Sequence, residues 1–351
     1  MERIGPYRLI RRLGMGGMGE VFLAYDDRLE RPVAIKQIRR EAAANPALRE
    51  RLLREARAAA RLSHPNIVQV YDILEAAGDG DSNDRGDSIV MEYVAGRSVA
   101  EMLGPGPLSL AQTVELARQI AAGLAAAHAA GLVHRDLKSE NVLVDREGRA
   151  RILDFGLAKP LDSDSTLTEH GAVLGTYRAM SPEQSRGEPA DARSDLFSFG
   201  VLLYEALTGV SPFAGRTPIE TLRRIDEAAP RPVTALRPEV PSELAALVHA
   251  LLEKDPGRRP ADAAGVAREL QSLASLPELA ETGEMRAGSS LSASVLADTP
   301  TVVPLSRRPP DRRSGFGSDA DVEPTSPTGR IVRPQARRLA MALLLLLALA
   351  A

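Results

Sequence analysis

The chain has 351 residues, room for about two domains at roughly 150 residues each, and its 44 Lys and Arg against 47 Asp and Glu leave a net charge of −3. That balance excludes the charge-driven nucleic-acid binding of a basic chain. The absence of cysteine excludes disulfides, cysteine-ligated zinc, iron–sulfur clusters and a thiol nucleophile, and leaves the redox compartment open. With aromatic residues at only 3%, the core must come from Leu, Val, Ile and Ala. Of the 44 basic residues only Lys36, Lys138, Lys159 and Lys254 are lysines. A compact ammonium does chemistry that a planar guanidinium does not, so each is a candidate for a specific role.

The N-terminus, MERIGPYRLI, lacks the apolar run of a secretory signal. From Tyr7 to about Tyr93 the pattern favours strands, with β-branched runs at 21–24, 33–38, 67–71 and 89–93. One helix interrupts them between 48 and 62, where Leu52, Ala59 and Leu62 share a face with Glu55. A carboxylate on an apolar stripe needs a partner. The acidic, Gly-rich stretch 76–87 reads as a solvated insertion between two strands. After Pro107 the character turns helical: Ser109 and Gln112 have the spacing of a capping box, and Gly131 is placed to end that helix. Strand-like runs at 142–144 and 151–153 follow, then helical patterns at 196–207, 219–226, 243–252 and 263–273. The expected architecture is a small β-rich lobe followed by a larger helical one. No internal repeat is apparent.

Gly14, Gly16, Gly17 and Gly19, followed by Val21, form a G-x-G-x-x-G run that lets backbone N–H groups approach phosphates. By itself such a run also suits a plain turn or a dinucleotide site. Strand-like sequence on both sides favours a hairpin flap over a nucleotide. Lys36 ends a strand seventeen residues after Gly19, within reach of that flap, and an inward Glu55 would satisfy its charge and aim it at phosphate oxygens. The run 134–141, HRDLKSEN, concentrates charge between a helix and a strand. There Asp136 can accept a hydroxyl proton, Lys138 can neutralise a moving phosphoryl group, and Asn141 offers an amide oxygen to a hard cation. Asp154, thirteen residues on and followed by Phe155 and Gly156, supplies a second oxygen ligand.

In this order and spacing the motifs resemble the eukaryotic-type (Hanks-type) protein kinase family, over about residues 5 to 275. The whole run, including RLLREARAAARLSHPNIV and MSPEQSRG, is most similar to bacterial receptor-like serine/threonine kinases. The resemblance implies an α+β, bilobal kinase fold with an N-lobe over 5–94 and a C-lobe over 95–275. It implies ATP with Mg2+, or Mn2+ in its place, and transfer of the γ-phosphoryl group to protein Ser or Thr hydroxyls. Gly14, Gly16, Gly17 and Gly19 would then cover the phosphates, and Lys36 would contact the α and β phosphates, paired with Glu55 when active. Val21 and Ala34 would join the nucleotide-binding set, with Met91 at the back of the adenine pocket and Glu92 and Val94 giving hinge backbone groups. Asp136 resembles the catalytic base, Lys138 the γ-phosphate contact, Asn141 and Asp154 the metal ligands. Glu183 of Ser181-Pro-Glu would pair with Arg259, Asp195 would brace the catalytic loop, and Thr176 would touch Asp136 and Lys138. Lys138 and the pair Gly175-Thr176 are the serine/threonine rather than the tyrosine pattern.

Three departures stand out: Ser139 where Pro is usual, Ser181 in place of Ala, and no aromatic just before Met180. None removes a catalytic atom, so the rival reading, a nucleotide-binding pseudokinase scaffold, rests on no missing ion. Arg135 directly before Asp136 implies an activation segment ordered by phosphate, with Ser163, Ser165, Thr166 and Thr168 as candidates and a homodimer as the means of trans-autophosphorylation. The lone histidines His128, His170 and His249 read as helix or loop residues rather than metal ligands, and His64 as a turn residue.

Residues 276–338 hold eight Pro and thirteen Ser or Thr and read as a disordered juxtamembrane linker. Residues 339–351 are all apolar, with Arg330, Arg333, Arg337 and Arg338 just before them, and read as the start of a transmembrane helix that continues beyond residue 351. The arginines would leave the kinase domain on the cytoplasmic side of a single-pass inner-membrane protein.

Overall fold

Alternation along two neighbouring strands sets up the smaller lobe. In β4 (Arg31–Ile38), Val33 and Ile35 point to one face, where they pack with Ile4, Tyr7, Ala24 and Val90. Ala34 and Ile38 point to the other, with Ile89 and Met91 of β6 (Ser88–Glu92) and with Leu52 and Ala56 of helix α1 (Pro46–Ala60). The period of two therefore places Lys36 on the helix side of the sheet. With β1 (Arg3–Ile4), β2 (Tyr7–Gly16), β3 (Gly19–Asp26) and β5 (Val70–Leu74), these strands form a six-stranded sheet in the order β1-β2-β3-β4-β6-β5, each neighbour antiparallel. The computed structural model describes residues 2–16, 19–38, 46–75, 86–155 and 176–275.

The larger lobe begins with β7 (Gly96–Ser98) and α2 (Val99–Leu103). Helix α3 (Leu110–Ala129) carries the expected capping box: Ser109 accepts from the Gln112 N–H, and the Gln112 side chain accepts from the Ser109 N–H. Gly131, at φ 74°, follows its end as expected. Strands β8 (Val142–Asp145) and β9 (Ala150–Ile152) pair with β7 in the order β7-β8-β9. Then come α4 (Pro182–Ser185), α5 (Ala192–Thr208), α6 (Pro218–Glu227), α7 (Val233–Leu236), α8 (Ser242–Leu251) and α9 (Ala263–Leu273). Helix α5 is apolar nearly all round, from Leu196 to Leu207, and is buried accordingly against α3 and α8.

One expected strand is displaced. The sequence pattern favours a single strand over 67–71, yet the ladder of β5 begins only at Val70. Residues 66–68 are claimed by the other lobe instead: Val68 N–H donates to Ile152 C=O and Ile152 N–H to Asn66 C=O, each at 2.9 Å, with Ile67 bridging Ile152. Asn66 then donates to Gln119 Oε1 at 2.9 Å and to Ala150 C=O at 3.0 Å. Gly123 of α3 permits this approach, because a Cβ there would stand 2.9 Å from the Ile152 side chain and 3.3 Å from the Asn66 carbonyl. The β-branched signal of 67–71 was correct about extended backbone and silent about which partner it meets.

Candidate active site

The glycine run lies at the end of the β2–β3 hairpin, where Gly16 faces Gly19. Strand on both sides removes the strand-to-helix arrangement of a dinucleotide fold. Gly19 has no alternative, since a Cβ would meet the Gln37 carbonyl at 1.8 Å. Gly14 has nothing within 4 Å of a Cβ, so its own protein does not require glycine there. A phosphate lying under the hairpin would occupy that open space.

Beneath the hairpin, Val21 packs with Ala34, Met91 and Val94 in one apolar cluster. Leu143 of β8, on the other lobe, joins the same cluster, a contribution that no local motif signals. At the strand end beyond Met91 the Glu92 carboxylate turns toward the Gln69 N–H (3.3 Å) and Arg151 (3.5 Å). What Glu92 can give a base is therefore backbone. Val94 C=O accepts from Gly96 N–H, while the Val94 N–H has no backbone acceptor among the described residues.

The charged residues converge at the junction of the lobes. Asp136 Oδ2 lies 3.0 Å from Lys138 Nζ and 3.2 Å from Asn141 Nδ2. Asn141 Nδ2 also donates to the Asp136 carbonyl at 2.8 Å, which fixes the amide flip and leaves Oδ1 as an outward acceptor. Leu153 N–H donates to Asn141 C=O, so Asp154 follows directly on the residue facing Asn141. These two hard oxygens from adjacent strand ends suit Mg2+ when phosphates and water complete the shell.

The ion pairing across the lobes differs from the expected Lys36–Glu55 contact. Lys36 Nζ donates to Asp154 Oδ2 at 2.8 Å. Glu55 Oε1 instead takes Arg51 Nε at 3.2 Å and Arg135 Nη1 at 3.1 Å, and its buried Oε2 finds no partner among the described residues. The reason is competition: two guanidinium groups reach Glu55, one of them an i,i+4 neighbour on its own helix, and Asp154 satisfies the ammonium. Arg135 is thereby joined to α1.

The catalytic loop is braced from below. Asp195, in the first turn of α5, accepts from His134 N–H at 2.7 Å and Arg135 N–H at 2.8 Å. Gln184 Nε2 donates to the Arg135 carbonyl at 2.8 Å, and His134 Nε2 lies 2.7 Å from the Leu153 carbonyl. Gln184 is another residue that pattern reading missed, because its role depends on where α4 docks. Glu183 and Arg259 form a fully buried fork, with Oε1–Nη1 at 2.7 Å and Oε2–Nη2 at 2.8 Å, and Ser194 Oγ adds a donor at 2.6 Å. Burial alone would raise the Glu183 carboxyl, but the hydrogen bonds from Arg259 and Ser194 prevail and hold it down at about 2. Gly17, Gly156, Ser163, Ser165, Thr166, Thr168 and Gly175 lie outside the described residues, as does the side chain of Thr176, so the expected contacts of Thr176 are not described.

A protein kinase domain is matched over residues 7–271. The chain is 44% identical over 257 residues to a probable serine/threonine-protein kinase of Streptomyces coelicolor, covering 73% of this chain and 38% of that protein. It is 40% identical over 266 residues to the serine/threonine-protein kinase PknB of Mycolicibacterium smegmatis, covering 75% and 42%. Among solved structures, the PknI kinase domain of Mycobacterium tuberculosis superposes with a TM-score of 0.61 at 26% identity, covering 77% of this chain and 97% of that one. The chain spans between 31 and 42% of the length of the curated relatives it matches. A flap, a braced catalytic loop and a buried Glu–Arg fork, matched across three quarters of the sequence, place this chain in the protein kinase family.

Proposed function

We propose that the chain is a serine/threonine protein kinase that moves the γ-phosphoryl group of ATP onto Ser and Thr hydroxyls of proteins, with Mg2+ as the metal. The observation that carries this is the contact set of Asp136, Lys138 and Asn141 beside the Lys36–Asp154 pair. Asp136 takes the hydroxyl proton as the bond from the substrate oxygen to phosphorus forms and the bond to the leaving ADP oxygen breaks. Lys138 offsets the charge spreading over the transferred group, and Lys36 holds the α and β phosphates in line. Asn141 through Oδ1 and Asp154 through its carboxylate would hold Mg2+, whose charge neutralises the phosphates. The rate gain is positioning and electrostatics, without a covalent enzyme intermediate. Phosphorylation of the segment between Asp154 and Glu183, in trans within a homodimer, and membrane attachment through 339–351 belong to the same proposal. Transfer of radiolabel from ATP to a generic basic protein, with Asp136→Asn as the control, tests it. Labelled substrate with the unaltered chain alone supports the kinase; ATP binding without any transfer would favour a pseudokinase scaffold.

A further inference from the structure

We propose that Ser181 and Gln184 are positioning residues of the phosphotransfer site, acting together on the peptide unit between Arg135 and Asp136. Gln184 lies in α4, and its amide is oriented by a reciprocal cap at the start of that helix. Ser181 N–H donates to Gln184 Oε1 at 3.0 Å, Ser181 Oγ donates to the same oxygen at 3.2 Å, and Gln184 N–H donates back to Ser181 Oγ at 3.3 Å. An oxygen that takes a backbone N–H fixes the flip of the amide, so Nε2 is the end that meets the Arg135 carbonyl at 2.8 Å. Ser181 is fully buried, and both partners its hydroxyl has among the described residues belong to Gln184. The alanine usual at this position in the family would leave the amide held by the Ser181 N–H alone. The serine is therefore spent on aiming Gln184.

The peptide unit that receives Nε2 is the one that carries the base. Its carbonyl belongs to Arg135 and its N–H to Asp136, and that N–H donates to His134 Nδ1 at 3.3 Å. Gln184, at 2.8 Å on the carbonyl, is the closer restraint of the two. Arg135 sits at φ 64°, a left-handed conformation that a non-glycine residue keeps only where the surroundings over-determine it. Its own N–H is held by Asp195, so Gln184 is what holds the other side of the strained residue and sets the direction in which Asp136 leaves it. Gln184 has a fixed base to act from. Its neighbour Glu183 is locked into the fork with Arg259 and takes Ser194 Oγ, and the Ala179 carbonyl, two residues before Ser181, accepts from Ser198 Oγ at 2.6 Å. None of these bonds involves the hairpin glycines, Lys36 or Val94, so the loss of Gln184 should reach the base and spare the nucleotide.

The test uses Gln184→Leu, Gln184→Glu, Ser181→Ala and the Ser181→Ala, Gln184→Leu double variant in the full chain. Glutamate keeps the shape of glutamine and an oxygen for Ser181, but at neutral pH it has no donor for the Arg135 carbonyl. In both Gln184 variants hydrogen exchange at the Asp136 amide rises about tenfold or more. Turnover falls by about tenfold or more while KM for ATP stays within about twofold. Ser181→Ala lowers turnover by about three- to fivefold, and the double variant stays within about twofold of Gln184→Leu, because Ser181 acts only through the amide. Should leucine prevent folding, glutamate takes its place in both the single and the double variant. Unchanged exchange at Asp136 in a folded Gln184 variant overturns the inference. So does a double variant whose loss is the product of the two single losses, since Ser181 would then be acting as a helix cap independent of Gln184. The activity arm rests on the kinase reading, and the exchange arm does not. An unaltered chain that transfers no phosphate would sink that reading and leave Gln184 to be decided by exchange.

Discussion

Lys36 and Glu55 each have an ion partner, and in neither case is it the other. The residue types needed for phosphate alignment are thus present in an arrangement where Asp154 holds the ammonium and Arg135 holds the helix carboxylate. Lys36→Met is expected to lower transfer by about three orders of magnitude, because aligning phosphates acts on the transition state more than on the bound nucleotide. ATP affinity should change by less than about tenfold, since the apolar cluster around Ala34 and Met91 is untouched. Steady-state kinetics beside nucleotide titration checks this, and a folded Lys36→Met protein with undiminished activity would remove Lys36 from the site. The Glu183–Arg259 fork gives a stability prediction. The Glu183 carboxyl is depressed from 4.5 to about 2, so its contribution is fully present above about pH 4.5 and is lost as pH falls through about 2. The amount is on the order of 3 kcal/mol. Denaturant unfolding at pH 5 and pH 3 should show a loss in the parent that is absent from Glu183→Gln. Arg259→Leu should cost about 3–5 kcal/mol at neutral pH by stranding a buried charge, and a cost below about 1 kcal/mol would show the pair to be dispensable. Lys254 answers a question raised by composition. Its Nζ lies 3.7 Å from the Phe213 ring centre and 2.5 Å from the Ile225 carbonyl, a site for a compact ammonium, and burial pushes it down to about 8.

At the scale of elements, local signals were readable where a residue's partner is close in sequence and unreadable where it is not. The Ser109 capping box, the Gly131 helix end, the 263–273 helix and the flap at Gly14 to Gly19 all depend on neighbours within a few positions, and all appear where expected. The displaced start of β5, the Leu143 side of the nucleotide cluster, Gln184 on the Arg135 carbonyl and His128 on Asp195 depend on docking between distant elements. A lone histidine on a helix gives no hint of such a contact until α5 is packed beside it. The Glu55 pairing failed for a related reason: the sequence names charges but does not say which of several cations within reach wins. Arg135 is the hinge of the next expectation. Its guanidinium holds Glu55 at 3.1 Å, and a phosphate on the segment before Glu183 would offer it a doubly charged, better hydrogen-bonding partner. Mass spectrometry of protein expressed alone should find phosphate within 163–168, foremost on Thr166 and Thr168, and none in Asp136→Asn. A fully active enzyme with all four hydroxyls bare would refute control by this route.

At the scale of the whole molecule, the two lobes share hydrogen bonds at 66–68, and the composition beyond residue 275 is of another kind. Sixty-three residues rich in Pro, Ser and Thr separate the kinase domain from the apolar run at 339–351. A helix of thirteen residues covers about 20 Å at 1.5 Å per residue, whereas a hydrocarbon core of about 30 Å needs roughly twenty residues. The run is therefore short of a span by about seven residues as it stands. Among the described residues no helix is long and apolar enough to cross a membrane. The four arginines at 330, 333, 337 and 338 lie within the distance over which basic residues set orientation, and they favour retention of their side in the cytoplasm. ATP is abundant on that side, which suits the chemistry proposed for Lys36 and Asp136. The native full-length protein is accordingly expected to sediment with membranes, to resist extraction by high salt, and to be released by detergent. Salt resistance distinguishes insertion of the apolar run from mere attraction of the arginines to acidic headgroups, which a high ionic strength screens. Protease added to intact spheroplasts should leave residues 5–275 undigested and should cut them once the membrane is opened. Recovery in the soluble fraction, or digestion of the kinase domain from outside, would refute the anchored, inward-facing arrangement.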